Sequence, residues 1–278
     1  MNRLLRPLPL FVALATVAAA QSDKSGYTLF NPTPRDQMRD LSTDRPDQTE
    51  SPHTVDAGHW QIEFEFANFT YDREGGTRSE TWNIAPVNVK LGLTNDTDIQ
   101  FIFDSYSREK VRSGGTTTRT RDWGDLTVRV KHNVWGNDDG DTAFAVMPWV
   151  KIPLKLGDAG NDSFEGGLIL PFAVALPSGW SLGLMTELDL LADSVGNNHH
   201  FEWVNTIALG RDITSRLGGY IEFLSSHNYE RGTDWLALAS VGFTYAFNAD
   251  TQLDGGCNFG VTRNAPDVQP FLGLTLRY

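Results

Sequence analysis

The chain has 278 residues, with 23 Lys and Arg against 35 Asp and Glu and a formal net charge of −12. That balance excludes a nucleic-acid partner, which needs clustered positive charge, and 40% hydrophobic with 11% aromatic residues excludes disorder over most of the length. A lone cysteine, Cys257, excludes an intramolecular disulfide framework and a cysteine-rich zinc site.

The first twenty residues read as a secretory signal peptide. Arg3 and Arg6 give a positive start, Leu8 to Ala20 is apolar, and Ala18-Ala19-Ala20 is a small-residue cleavage site before Gln21. As an anchor helix the apolar run is too short. No later segment is a helical span: Gly166 to Leu176 is short and carries Pro171. A membrane, if entered, is entered as strands.

Residues 21–57 form a polar segment with Pro32, Pro34, Pro46 and Pro52 and no sustained period. It is expected to be an extended periplasmic segment. From Gly58 onward the pattern alternates, and twelve strands are predicted over roughly 58–72, 79–94, 96–107, 120–135, 142–155, 165–177, 180–192, 200–212, 216–227, 234–248, 251–262 and 267–278. In the first, Trp60, Ile62, Phe64 and Phe66 oppose Gln61, Glu63 and Glu65; in the seventh, Leu182, Leu184, Leu188 and Leu190 oppose Glu187 and Asp189. Period 2 places one face against an apolar medium and the other against a polar one. Connections after even strands are short, such as Thr94-Asn95 and Pro177-Ser178-Gly179, while those after odd strands are longer, such as Ser107 to Arg119 and Asp193 to His199. Short periplasmic turns and longer external loops characterise outer-membrane barrels.

Aromatics near strand ends (Trp60, Trp82, Trp123, Trp135, Trp180, Trp203, Trp235, Tyr245, Phe247) suit interfacial girdles. Pro86, Pro148, Pro171 and Pro270 fall inside the predicted strands, and a closed barrel has no edge to hide a missing donor. They are expected at strand ends, bulges or the rim. The fold class expected is therefore all-β, a transmembrane antiparallel barrel of about twelve strands over 58–278.

The segment Ser42-Thr43-Asp44-Arg45-Pro46-Asp47-Gln48-Thr49-Glu50-Ser51-Pro52, followed by Val55-Asp56-Ala57-Gly58-His59-Trp60-Gln61-Ile62-Glu63, resembles the opening of a bacterial outer-membrane family catalogued as transporters of the putative MetA pathway of phenol degradation. That opening reads TDRP-x-x-T-x-SP and then a first strand ending in Q-x-E. The resemblance implies an outer-membrane barrel and, at the level of the family label, transport of aromatic compounds. It supplies no site residues. The ending Leu274-Thr275-Leu276-Arg277-Tyr278 resembles the C-terminal signal of outer-membrane barrels, which implies recognition by the barrel-assembly machinery through Tyr278.

By strand parity, Lys90, Arg129, Lys131, Lys151 and Lys155 make a basic lumen wall, and Glu63, Glu65, Glu187, Asp189, Glu202 and Glu222 an acidic one. Facing walls set a transverse field that orients solutes; direct pairing would instead fill the lumen as structural glue. Asp44, Arg45 and Asp47 sit on a chain stiffened by proline. They either enter the periplasmic mouth as a plug or belong to a tail that caps the first strand. Met147, Trp149, Met185, Val204, Tyr220, Leu236 and Leu238 form an apolar lumen patch, either a seat for an aromatic solute or ordinary packing. No metal site or cofactor is expected; His199 and His200 are neighbours that point apart in a strand. No Gly-x-Ser-x-Gly elbow is present, so an enzyme is not expected. The partners expected are outer-membrane lipid and a small solute. The reading is a channel in the bacterial outer membrane, with a filled barrel in a surface-interaction role and a secreted soluble β-sandwich as alternatives.

Overall fold

A computed structural model describes residues 23–104, 106–154, 163–233 and 235–278. The expected signal peptide and Lys155 lie outside them. The chain opens with a polar segment containing one 3-10 turn, Arg35–Gln37, and then forms strands. These are β1 (Trp60–Glu74), β2 (Thr77–Ile84), β3 (Val87–Thr94), β4 (Thr97–Phe103), β5 (Tyr106–Ser113), β6 (Thr116–Trp123), β7 (Leu126–Trp135) and β8 (Thr142–Ile152). They continue as β9 (Glu165–Leu176), β10 (Trp180–Ala192), β11 (His199–Asp212), β12 (Leu217–Asn228), β13 (Leu236–Asn248), β14 (Thr251–Gly260) and β15 (Val268–Arg277).

The ring runs β1-β3-β4-β7-β8 and onward in order to β15, which pairs back onto β1 from Gln61↔Arg277 to Tyr71↔Val268. Twelve antiparallel strands therefore close a barrel without an edge. Inside, alternate residues are buried and mostly polar: Gln61, Glu63, Lys90, Asp98, Gln100, Lys131, Asp254 and Thr275 are each at most 2% exposed. Outside, Trp60, Phe66, Leu188, Ile207, Ile221, Val241 and Leu272 are exposed apolar residues. This is a soluble protein turned inside out. Lipid is the solvent that stabilises such an outer face, so the soluble β-sandwich is overturned.

Three staves are longer than the ring requires. β2 continues β3, β5 continues β4 and β6 continues β7, each after a break at the same level. At the first break Ala85 has φ +54° and Pro86 offers no N–H. At the third, a Cβ on Gly124 would meet the Asp104 carbonyl oxygen at 2.1 Å, so only glycine lets the two staves approach. Beyond the breaks, β1, β2, β5 and β6 make a four-stranded wall rising from the loop end of the barrel. The expected loop Ser107–Arg119 is thus corrected to a paired hairpin turning at Gly114-Gly115. Its pairing was hidden because neither of its faces is apolar, and alternation then has nothing to mark.

Two prolines are a second correction. Pro86 lies at a break and Pro270 is the third residue of β15, but Pro148 and Pro171 sit in mid-strand. The β7–β8 pairing passes from Arg129↔Trp149 to His132↔Val146, and β8–β9 passes from Phe144↔Phe172 to Met147↔Ile169. Each proline interrupts pairing on one side only. The opposite ladder keeps Pro148↔Leu168 and Met185↔Pro171. A closed ring therefore tolerates a proline as a local gap without a bulge or an end.

Candidate functional site

The bore is where the polar faces of the ring meet the N-terminal segment. The segment is first tied down at the turn end, where the short connections lie. Lys24 reaches Asp138 at 2.7 Å, and Arg39 reaches Asp138 at 3.0 Å, Asp56 at 3.5 Å and the Asn95 side chain at 3.0 Å. Arg277 donates to the Arg39 carbonyl oxygen at 2.7 Å and to Asp250 at 2.9 Å. A Cβ on Gly92 would lie 2.1 Å from the Asp56 carbonyl oxygen, so β3 accepts the chain at this point because it offers no side chain.

From this collar, residues 42–56 cross the lumen. Asp44 lies between Lys90 Nζ and Lys131 Nζ, each 2.5 Å from a carboxylate oxygen, and Glu63 pairs with Lys90 from the β1 side. The Asp44 amide donates to Glu63 at 3.1 Å. Arg45 points the other way, to Glu65 at 2.7 Å and Asp254 at 2.8 Å. It lies against Gly273, where a Cβ would meet its Nη2 at 2.4 Å. Glu222 accepts from the Gln48 amide at 3.0 Å and the Thr49 hydroxyl at 2.7 Å. Glu50 pairs with Arg129, and the Val55 amide donates to Asp98 at 3.0 Å. The segment is thus held from opposite sides of the ring, almost wholly by ions and hydrogen bonds.

Their titration is unequal. Burial alone would raise the Asp44 carboxyl, but Lys131, Lys90 and Arg129 outweigh it and hold it well below the usual carboxylate range. Burial, with Glu222, Glu50 and Asp44 nearby, pushes Asp47 well above its ordinary value. Burial also lifts Glu50 to about 7, against the pull of Arg129. His53 is lowered by burial and by Lys131 and Arg39.

Of the predicted basic wall, Lys90, Lys131 and Arg129 meet the segment, whereas Lys151 pairs with Glu165 on the neighbouring strand. Of the acidic wall, Glu63, Glu65 and Glu222 meet it. Glu187 and Asp189 accept from Trp149 Nε1 at 3.1 and 3.2 Å, and Glu202 from Ser226 and Asn228. The apolar patch divides. Met147 and Met185 pack with Ile169, Trp149 and Val204; Leu238 and Leu236 pack with Leu224 and Ala265; the Tyr220 hydroxyl is 3.4 Å from the Pro46 carbonyl oxygen. Sequence reasoning missed Glu50, Arg39, Asp56 and Asn137, whose partners are distant in the chain, and took Asn95 for a plain turn residue. The side-chain amides of Asn95 and Asn137 in fact fasten the segment: Thr54 donates to Asn137 at 3.1 Å. His199 and His200 do part: one meets the Phe164 carbonyl oxygen, the other Asp193.

Two cavities flank the segment. One of about 330 Å3 lies between it and β9–β13, lined among others by Asp47, His53, Ser181, Gly210 and Thr244. Another of about 260 Å3 lies toward the breaks, lined among others by Glu63, Pro86, Asn88, Ile102 and Asp104. Arg45 and Glu50 line both.

No curated protein matches the chain. Among solved structures, the transport unit of the autotransporter AIDA-I from Escherichia coli is similar at 11% identity, with 85% of this chain and 92% of that one covered and a TM-score of 0.53. The NanC porin is similar at 10% identity, with 78% and 98% covered and a TM-score of 0.51. The translocator domain of the autotransporter NalP from Neisseria meningitidis is similar at 12% identity, with 79% and 88% covered and a TM-score of 0.51. Identities this low establish the fold, which is that of outer-membrane barrels. Residues 43–278, from the Asp44-Arg45-Pro46-Asp47 segment to the closing strand, match the family described as "Putative MetA-pathway of phenol degradation", and the chain belongs to that family as a β-barrel of the outer membrane.

Proposed function

We propose that the protein is a channel for small solutes, with residues 42–56 as a plug that must shift before the bore conducts. The observation that carries this is the way the segment is held. Asp44, Arg45, Glu50 and the Gln48-Thr49 pair bind opposite walls through charged and polar contacts, with cavities on both sides. An ionic latch can exchange its contacts for water at modest net cost, because the attraction within a buried ion pair is largely offset by its desolvation. In this orientation the turn end, with its short connections, faces the periplasm and the hairpin tips face outward. Aromatic compounds are the solute class we favour, on the family description and on the Met147–Ile169–Met185 cluster beside Trp149. We read the channel as non-enzymatic.

The test is single-channel conductance in planar bilayers, full chain against a variant lacking residues 23–51. The deletion is expected to raise conductance or open probability severalfold. Unchanged conductance in a correctly folded deletion variant would refute the plug. The same density of buried ion pairs favours a second reading, a filled barrel acting through its external surface. That reading requires both proteins to be silent.

A further inference from the structure

The wall formed by β1, β2, β5 and β6 carries an unusual outer face. Along β1 the face continues outward-pointing positions: Ala67 pairs with the lipid-facing Leu272, so Phe69, Tyr71 and Arg73 look the same way. The cross-strand register then brings Trp82 and Ile84 of β2, Tyr106 of β5 and Trp123 of β6 onto this face. Phe69 stacks near Trp82 at 4.7 Å, and Tyr106 near Trp123 at 5.6 Å. These rings form the upper aromatic girdle. Trp60 marks the lower one, and the span from Trp60 to Phe69 matches the 9–11 residues with which a tilted strand crosses a bilayer.

From the row of Phe69 and Trp82 upward the same face turns cationic. Arg108 stands directly opposite Arg121, Lys110 opposite Arg119, and Arg112 opposite Arg78. Like charges directly opposite are destabilising in a sheet. Glu80 is the one acid among them and pairs with Arg78 at 2.6 Å and Lys110 at 3.2 Å. Among the described residues, Arg108, Arg119 and Arg121 form no ion pair with a carboxylate. Near the tip, Tyr71, Arg73, Arg78 and Arg112 line a concavity of about 420 Å3. A chain with net charge −12 thus places six exposed arginines, Arg73, Arg78, Arg108, Arg112, Arg119 and Arg121, on this one wall, from the row of Phe69 and Trp82 upward.

We propose that this face is a binding site for the phosphorylated headgroup of an outer-leaflet glycolipid, of the lipid A type. Arg108 and Arg121 sit at the depth of the headgroup phosphates, and guanidinium groups bind phosphate oxygens through paired N–H donors. The aromatic girdle beneath takes the acyl chains. The bound phosphates neutralise the arginine pairs that otherwise repel. The inference rests on the orientation proposed above and not on the plug.

The test is native mass spectrometry of the full chain in detergent, with two-phosphate lipid A against the same lipid enzymatically stripped of phosphate. The wild-type protein is expected to retain the phosphorylated form at least about tenfold better. A triple variant, Arg108→Gln, Arg119→Gln and Arg121→Gln, is expected to lose that preference while still migrating as a folded barrel on unheated gels. Equal retention of the two lipids by the wild type would overturn the proposal without any variant. An unchanged preference in the folded triple variant would overturn the assignment to this face. Displacement of lipid A by excess inorganic phosphate would overturn it in favour of a site for soluble anions.

Discussion

The cations inside the barrel and those outside it live under opposite rules. Lys90, Lys131 and Arg129 are buried, and each touches a carboxylate from this same chain. Arg108 and Arg121 are exposed and face each other, and Arg119 is exposed opposite Lys110. In the bore, an uncompensated charge costs several kcal/mol, so the fold itself must supply the counter-ion, and the N-terminal segment does so. At the headgroup level, water screens repulsion and the counter-ion can come from elsewhere. The difference teaches that partner and plug are read from the same quantity: which charges the chain leaves unanswered.

The largest effect expected is from Asp44→Asn. It removes the shared counter-ion of Lys90 and Lys131 and weakens docking of the segment by about 3–5 kcal/mol. Limited proteolysis should then cut the chain before β1 far faster while the barrel survives. Wild-type cleavage rates would erase the contrast drawn above.

Next comes pH. Glu50 has its carboxyl raised from 4.5 to about 7 when docked. The docked state therefore holds the proton more tightly, and its advantage is complete below 4.5 and fades as pH rises through about 7. That difference amounts to something on the order of 3 kcal/mol. Asp47 is shifted the same way and adds to it, whereas Asp44, held low, stays ionised throughout this window. Open probability should rise from mildly acidic to mildly alkaline solution, and Glu50→Gln should flatten that rise. A slope of the opposite sign would mean that His53, whose buried imidazole resists protonation when docked, outweighs the two carboxyls.

The smallest effect is on the outer face. Arg108→Thr with Arg121→Thr should stabilise the lipid-free protein in neutral detergent by about 0.2–1 kcal/mol, because opposed like charges are removed. Denaturant unfolding measures this. A loss of stability would mean that these arginines have partners within the chain, and the two sets of cations would then obey one rule.

Much of this architecture was legible because a membrane strand writes its environment into its sequence. Trp60, Ile62, Phe64 and Phe66 against Gln61, Glu63 and Glu65 specify lipid on one side and water on the other, and the register of β1 against β15 follows that parity until the irregularity at Phe66. The inward positions of Lys90, Lys131, Glu63 and Glu222 were readable for the same reason. The wall of β5 and β6 was not, because both of its faces meet polar surroundings and period 2 carries no contrast there.

Local alternation and turn chemistry, which act over a few residues, were enough to determine a closed membrane barrel, its strand number and the inward side of such residues as Lys90, Lys131 and Glu63. What answers those side chains was decided only by the fold. Asp44 meets Lys131 and Arg45 meets Asp254 across most of the chain's length, and no periodicity encodes a contact between a strand and a segment that has none. Closure of the ring makes those contacts, because it brings every wall within reach of one short polar thread.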